Sequence, residues 1–290
     1  MAPKVYIIIY SLYHHIYTLA LDVQKGLVAS GIDAKIFQVP ETLPEEILVK
    51  MQAPPKPDVP VITVDDLSEA DGFLFGVPTR FGTMPAQIKS FLDSTGGLWA
   101  SGALAGKFAG TFFSTASQHG GQETTAFTLL TYFTHLGLNY VPLGFANSNL
   151  FDNSEVIGGS PYGAGTVANG DGSRQATEKE LEIARTQGEN FAKLLITFHR
   201  GLEVAEEEEN VKQTNVVESV EAVEEAAVSA EETEAPKPVV TETVKAEEPK
   251  AEEKKSRAVA KTEAKKESKC FCIGSTLNLK IVCRIFNNPY

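Results

Sequence analysis

The sequence predicts an α/β domain built on a doubly wound, parallel, five-stranded sheet, and three features of the first 200 residues support this prediction. Apolar runs such as residues 5–10 do not alternate with polar residues, as is typical of parallel strands that are covered on both faces. Segments with helical spacing of apolar residues separate these runs, and alternating strands and helices form parallel sheets. Loops rich in glycine and hydroxyl groups follow the predicted strands, at the edge where such sheets bind ligands.

Each element of the domain has its own signal in the sequence. Strands are predicted at residues 5–10, 34–39, 73–77 and 108–113, with a fifth beginning at residue 139. Helices are predicted at residues 19–31, 85–92, 122–136 and 177–198. Thr177 and Glu180 have the spacing of a capping box, which marks the start of the last helix. Residues 40–60 are expected to form a surface insertion, and residues 144–176 a long loop of the kind that is usually functional.

The composition of the chain changes near residue 200. Residues 201–269 contain no aromatic residue and hold 19 acidic and 11 basic residues, which accounts for −8 of the net charge of −12. Such a segment cannot bury enough apolar surface to offset the entropy of ordering it. We therefore predict a globular domain at residues 1–200, a disordered charged tail at residues 201–269 and a separate cysteine-containing segment at residues 270–290.

The charge balance and the N-terminus restrict the class of protein. An acidic chain is not expected to bind nucleic acid. No apolar run is long enough to span a membrane, and the N-terminus lacks the pattern of a signal peptide, so the domain is expected to be cytoplasmic. His14, His15 and His119 have no Cys, Asp or Glu at ligand spacing, and no metal site is expected.

The loop after the first strand predicts a phosphate site. Backbone N–H groups at the N-terminus of the following helix bind anions, and Ser11 and Thr18 add hydroxyl groups. The loop has neither the Gly-x-Gly-x-x-Gly pattern of a dinucleotide site nor the Gly-Lys-Ser/Thr of an NTPase. These absences favour a monophosphate such as FMN, and an ordinary loop with a capping serine is the alternative.

Longer motifs resemble the tryptophan-repressor-binding-protein family of flavodoxin-like NAD(P)H:quinone oxidoreductases over about residues 1–200, and within it the fungal members with a cysteine-containing tail. The most specific motifs are Pro78-Thr79-Arg80-Phe81-Gly82 and Thr95-Gly96-Gly97-Leu98-Trp99-Ala100. Gly120-Gly121-Gln122-Glu123 and Gly158-Gly159-Ser160-Pro161-Tyr162-Gly163-Ala164 add to the match. The resemblance implies a flavodoxin-like fold and FMN as the cofactor.

The resemblance also implies roles for individual residues. Those expected around FMN are Ser11, Leu12, Tyr13, His14, His15, Ile16, Thr79, Arg80, Phe81, Ser114, Thr115, Ala116, Ser117, Gln118, His119, Gly120 and His135. Tyr13 is expected near the nicotinamide nucleotide and Trp99 in the quinone pocket. From the residues alone, Trp99 could instead fill the core, Arg80 could form a surface ion pair, and His135 could be a core histidine.

The implied activity is FMN-dependent, two-electron reduction of quinones by NAD(P)H, with protection against oxidative stress, in a tetramer whose active sites lie near subunit contacts. One alternative is a membrane-associated structural or regulatory protein with little turnover, and another is a one-electron flavodoxin carrier. His14 and His119 stand where the family usually has glycine. Because glycine permits positive φ and close approach of the backbone to a ligand, these two residues are expected to weaken FMN binding and to make it sensitive to pH.

The tail has the charge pattern of a membrane tether. Residues 201–252 carry 16 acidic and 4 basic residues, whereas residues 253–269 carry 7 basic and 3 acidic residues. Cys270 and Cys272 follow this basic stretch directly and are candidate sites of lipidation. Acyl chains beside a basic patch anchor a protein stably, which predicts attachment to the plasma membrane. Unmodified cysteines in a disordered end are the alternative.

Overall fold

The structure is a computed structural model that describes residues 2–231, with side chains placed as far as residue 212. Its centre is a parallel sheet in which β1 (Lys4–Ile9), β2 (Asp33–Gln38), β3 (Gly72–Pro78) and β4 (Phe108–Thr115) stand in the order β2-β1-β3-β4. The predictions for residues 232–269, Cys270 and Cys272 lie outside the described residues.

Two short strands share the fifth position of the sheet. β5 (Asn139–Tyr140) pairs with the start of β4, and β7 (Gly163–Val167) pairs with its end, both in parallel. β6 (Gly159–Ser160) adds an antiparallel edge to β7. The prediction of a doubly wound, flavodoxin-like sheet is confirmed, but the fifth strand is split. The N–H groups of Asn139 and Val141 donate to the carbonyls of Lys107 and Ala109, and further along β4 its partner is β7, from Gly165 onwards.

Helices cover both faces of the sheet. They are α1 (His15–Ala29), α2 (Glu45–Lys50), α3 (Ala86–Asp93), α4 (Gly96–Ser101), α5 (Gln122–His135) and α6 (Glu178–Glu231). Buried residues of α1 and α6 form one hydrophobic cluster with Val5, Ile7 and Ile9 of β1. Tyr6 and Ile8 of the same strand belong to a second cluster with α3 and α5. Because both faces of β1 are covered, its sequence shows no alternation.

Helices α1 and α6 cross at two glycines. A Cβ atom at Gly26 would lie 2.1 Å from the carbonyl oxygen of Arg185, and one at Gly188 would lie 2.2 Å from the carbonyl oxygen of Val23. Arg185 also forms an ion pair of 2.8 Å with the buried Asp22 of α1. Helix α1, which follows the first loop, is therefore fixed in position by its close packing against α6.

Three predicted elements differ from the structure. The last helix was predicted to end near Phe198, but α6 continues to Glu231. Its last buried side chain is Leu195, and residues 201–212 are all exposed, because glutamate and alanine favour a helix even without core contacts. The insertion at residues 40–60 contains the short helix α2, and Trp99 lies on α4, which is not among the predicted helices.

Candidate functional site

A cavity of about 600 Å³ opens at the carboxyl edge of the sheet. The loops after β1, β3 and β4 form three of its walls, as the parallel sheet predicts. Residues 168–172, after β7, form the fourth wall, and Met51 and Pro54 close the rim. The volume lies within the range of about 300–1,000 Å³ that is usual for small-molecule and cofactor sites.

Ten of the residues predicted around FMN line this cavity: Ser11, Leu12, Tyr13, His15, Ile16, Thr79, Arg80, Ser114, Thr115 and Ala116. The sequence analysis did not predict Met51 and Pro54, because the insertion that contains them carries no motif. Seven predicted residues are absent from the lining: His14, Phe81, Ser117, Gln118, His119, Gly120 and His135. Contacts of the lining residues with FMN stay a prediction.

The first loop has the geometry of a phosphate cradle. The hydroxyl of Ser11 accepts a hydrogen bond of 3.1 Å from the backbone N–H of Tyr17, in the first turn of α1. Within the part of the chain that the structure describes, the backbone N–H groups of residues 12–16 have no hydrogen-bond acceptor. Such a run of free donors at the positive end of a helix is what a phosphate requires. The loop therefore fits the phosphate group of FMN.

His14 adopts the backbone conformation for which the family uses glycine. Its φ is 67°, in the left-handed region, which costs about 1–2 kcal/mol for a residue with a Cβ atom. Its side chain does not line the cavity, since Nε2 lies 2.9 Å from the carbonyl oxygen of Pro55. The ring of His14 therefore contacts the segment beside the cavity, and the effect of His14 on FMN binding stays a prediction.

The second loop ends in a tight turn. Arg80 and Thr83 exchange two backbone hydrogen bonds of 2.8 and 3.1 Å, and both central residues have positive φ, 54° at Phe81 and 78° at Gly82. A bulky residue with positive φ is a strained position. The ring of Phe81 is fully exposed, so it does not line the cavity of its own chain as predicted.

Arg80 lies in the cavity wall, and no described residue forms the surface ion pair that the alternative required. Its guanidinium donates to the carbonyl of Thr79 at 2.8 Å. The backbone N–H of Thr79 donates to the carbonyl of Ser114 at 2.9 Å, which holds the second and third loops side by side.

The third loop needs glycine at a different position from the one predicted. Gly121 has a φ of 91°, and a Cβ atom there would lie 2.9 Å from the Cα of Gly82. His119 is not among the residues with positive φ and is exposed. The expectation that His119 strains this loop is therefore wrong. Ser117 shapes the loop through its carbonyl, which accepts bonds from Thr115 Oγ1 at 2.7 Å and Gly120 N–H at 3.0 Å.

The fourth wall is organised by one buried carboxylate. Glu180 is fully buried, and its donors are the N–H of Gly158 at 2.8 Å, the N–H of Val167 at 3.3 Å, the hydroxyl of Thr166 at 2.9 Å, the N–H of Thr177 at 2.9 Å and the guanidinium of Arg174 at 3.0 Å. The bond from Thr177 is the predicted capping box. The carbonyl of Arg174 lies 3.0 Å from His15 Nε2, which connects this wall to the first loop.

Trp99 and His135 do not reach the cavity within one chain. The side chain of Trp99 is 62% exposed on α4, which excludes the alternative that it fills the core. His135 is the exposed last residue of α5, about 20 Å along the helix axis from Gln122 beside the cavity. His135 is therefore not a core histidine, and it does not line the cavity; its contact with FMN stays a prediction.

The described residues contain neither a group of metal-ligating side chains nor a membrane-spanning helix. Within residues 2–231, no three His, Cys, Asp or Glu residues lie where they could hold a metal ion. No helix in this range is long and apolar enough to cross a membrane.

Comparison with known proteins identifies the family of the chain and several similar proteins. The family described as NADPH-dependent FMN reductase matches residues 3–152. NAD(P)H quinone oxidoreductase PST2 of Candida albicans is 55% identical over 196 residues, which cover 68% of this chain and 98% of that protein. Quinone-oxidoreductase QR2 of Triphysaria versicolor is 52% identical over 217 residues, which cover 74% of this chain and all of that protein.

A third relative, NAD(P)H quinone oxidoreductase YCP4 of Candida albicans, is 58% identical over 201 residues, which cover 68% of this chain and 70% of that protein. Among solved structures, a WrbA-like flavodoxin from Agrobacterium tumefaciens has a TM-score of 0.47 at 21% identity over 68% of this chain and 99% of its own. The strand order itself establishes the fold, and the matched family and relatives identify the chain: it belongs to the NADPH-dependent FMN reductase family.

Proposed function

We propose that this protein is an FMN-dependent NAD(P)H:quinone oxidoreductase. One observation carries the proposal: the cavity at the carboxyl edge of the sheet is built from three predicted cofactor loops, and five backbone N–H groups at its base, those of residues 12–16, are free to bind a phosphate. The names of relatives that are 52–58% identical supply the reaction, since they are called NAD(P)H quinone or quinone oxidoreductases.

The protein's own residues bind and orient the cofactor. Residues 12–16 hold the phosphate, while Thr79, Arg80 and Ser114 stand along the walls that would flank the ring system. FMN, when bound, supplies the chemistry of accepting a hydride from NAD(P)H and delivering two electrons to a quinone. Arg80 has no carboxylate partner among the described residues, so its charge is available to the anionic cofactor or nucleotide.

The test is direct. Purified full-length protein should show flavin absorbance and should oxidise NADH only when a benzoquinone is present. Two electrons should pass per NADH, so one hydroquinone should form for each NADH consumed. A protein that binds no FMN, or that binds FMN without quinone-dependent oxidation of NADH, contradicts the proposal. Activity of this kind would support a role in protection against oxidative stress.

We also propose that the protein is a tetramer in which a neighbouring subunit completes each active site. Support comes from the exposure of Phe81 and Trp99, two aromatic residues that the resemblance assigns to the site but that do not line the cavity of their own chain. Light scattering on the purified protein should give four chains per particle. Trp99→Ala should raise the KM for quinone without loss of bound FMN, and a monomer with full activity contradicts this proposal.

The tail is proposed to attach the enzyme to the cytoplasmic face of the plasma membrane. The proposal is supported by the basic residues 253–269 directly before Cys270 and Cys272. Fractionation of cells should place the wild-type protein partly with membranes and a variant with both Cys270→Ser and Cys272→Ser in the cytosol. An equal distribution of the two proteins contradicts lipid attachment.

A further inference from the structure

We propose that residues 51–57 form a clasp on the FMN cavity and that Glu41 is the positioning residue that sets how long FMN stays bound. This inference rests on the proposed function, because it concerns retention of the same cofactor. The clasp comes from the insertion after β2, and two of its residues, Met51 and Pro54, form part of the cavity rim.

The tip of the clasp is tied to the phosphate loop. The hydroxyl of Tyr13 donates to the carbonyl of Met51 at 2.9 Å, and Nε2 of His14 lies 2.9 Å from the carbonyl of Pro55. Two consecutive residues of the loop that holds the phosphate therefore reach across the rim to the backbone of the clasp. We expect FMN to leave past Met51 and Pro54 more readily when these contacts loosen or the clasp moves.

The base of the clasp is held by one carboxylate. Donors to Glu41 are the Lys56 ammonium at 2.5 Å, the Tyr10 hydroxyl at 3.1 Å, the Gln87 amide at 3.0 Å and the N–H groups of Thr42 at 2.9 Å and Leu43 at 3.1 Å. Tyr10 follows β1 and Gln87 belongs to α3, so Glu41 connects Lys56 of the clasp to two elements of the core. Lys56 also lies over the ring of Tyr10, 4.6 Å from its centroid.

The clasp is stiff between its tip and its base. The N–H groups of Gln52 and Ala53 bond back to the carbonyls of Val49 and Leu48, both at 3.0 Å, in the pattern of a Schellman motif. Prolines at positions 54, 55 and 57 restrict the backbone that follows. A stiff segment moves as a unit, so loosening its base at Glu41 should release its tip at the cavity.

Three variants of the full-length protein test this inference. Glu41→Gln removes the charge at the base, and Tyr13→Phe removes only the hydroxyl at the tip. Glu45→Gln makes the same charge change on α2, where the side chain is exposed and has no hydrogen bond to a described residue. The rate of FMN release is followed by the rise in flavin fluorescence on dilution, and hydrogen exchange is measured in residues 51–59 of the apoprotein and of the FMN-bound protein.

Glu41→Gln should release FMN about tenfold faster and Tyr13→Phe about fivefold faster, as expected for a charge-assisted and a neutral hydrogen bond. Glu45→Gln should match the wild type. A double variant with Glu41→Gln and Tyr13→Phe should release FMN faster than wild type by less than the product of the two single effects, because both changes act through the clasp. Exchange in residues 51–59 should rise in both variants, and exchange in β1 should not change.

The inference is overturned if Glu41→Gln releases FMN at a rate within twofold of wild type. It is also overturned if the two changes multiply fully in the double variant and hydrogen exchange in residues 51–59 does not change. The NADH–benzoquinone assay on the wild type judges the proposed function separately. If the wild type reduces benzoquinone but both variants release FMN at the wild-type rate, the clasp is rejected and the proposed function stands.

Discussion

Replacing Glu180 tests whether its buried carboxylate holds the fourth wall of the cavity in place. Glu180→Gln keeps the size of the side chain but removes the charge and replaces one acceptor oxygen by an NH₂ group that faces other donors. Arg174, whose side chain is 17% exposed, then loses its partner. Breaking a buried ion pair by removing one partner costs about 3–5 kcal/mol, and we expect about 3 kcal/mol here because Arg174 keeps its bonds to two carbonyls.

The assay is urea unfolding followed by far-UV circular dichroism, without added FMN. The free energy of unfolding should fall by about 3 kcal/mol, and its dependence on urea concentration should not change. In a thermal scan the same loss should lower the Tm by roughly 10 °C for a domain of this size. FMN affinity should fall as well, because Val167 and Arg174, which flank the cavity residues 168–172, are both bonded to Glu180. Glu182→Gln, an exposed position on the same helix, is the matched control and should change stability by less than about 0.5 kcal/mol. A loss below about 1 kcal/mol in Glu180→Gln refutes the assigned role.

Three further predictions concern packing and pH. Gly188→Ala should destabilise the domain by more than about 2 kcal/mol in urea, because the added Cβ would meet the carbonyl of Val23 at 2.2 Å, whereas Gly201→Ala on the same helix meets nothing within 4 Å and should not destabilise it. Thr111→Val should leave stability unchanged or raise it by up to about 1 kcal/mol, because the buried Thr111 hydroxyl has no partner within the described residues. Burial raises the pKa of Glu41, but its hydrogen bonds outweigh this and lower the pKa to about 2, so the carboxylate stabilises the folded state above pH 4.5 and that stability disappears as the pH falls towards 2. Glu41→Gln should therefore flatten the acid limb of a stability profile measured from pH 5 to pH 2, and an unchanged limb would exclude this role.

The sequence predicted those walls of the site that are loops at the carboxyl ends of buried parallel strands. Runs that are apolar without alternation indicated buried parallel strands, and the loops at their carboxyl ends had to converge. Positions that depend on one dihedral angle were not predictable. The sequence shows Gly120 beside Gly121, but only the structure shows that positive φ falls on Gly121, which leaves His119 unstrained.

Contacts made by the insertion were also beyond the sequence analysis. Nothing in the composition of residues 40–60 indicates that Met51 reaches the cavity, because the bond from Tyr13 joins residues that are 38 positions apart. The capping-box spacing predicted one partner of Glu180 and not the other four, which come from strands and loops of the fourth wall. The glutamate-rich composition after residue 200 is compatible with both a disordered tail and a long helix. The structure shows α6 continuing to Glu231, as the helix propensity of these residues favours.

The crossing of α1 and α6 also sets the order in which the domain can be completed during synthesis. The face of α1 that carries Gly26 stays uncovered until Gly188 and the core residues up to Leu195 have been translated. Until then the nascent chain exposes apolar surface of β1 and α1, which is the condition in which chaperones act on partly folded chains. After Leu195, Ile196 is partly buried against the core and Phe198 packs on the ring of Phe108, whereas residues 201–212 are exposed. The ribosome can therefore finish the tail behind a domain that already has its cofactor site.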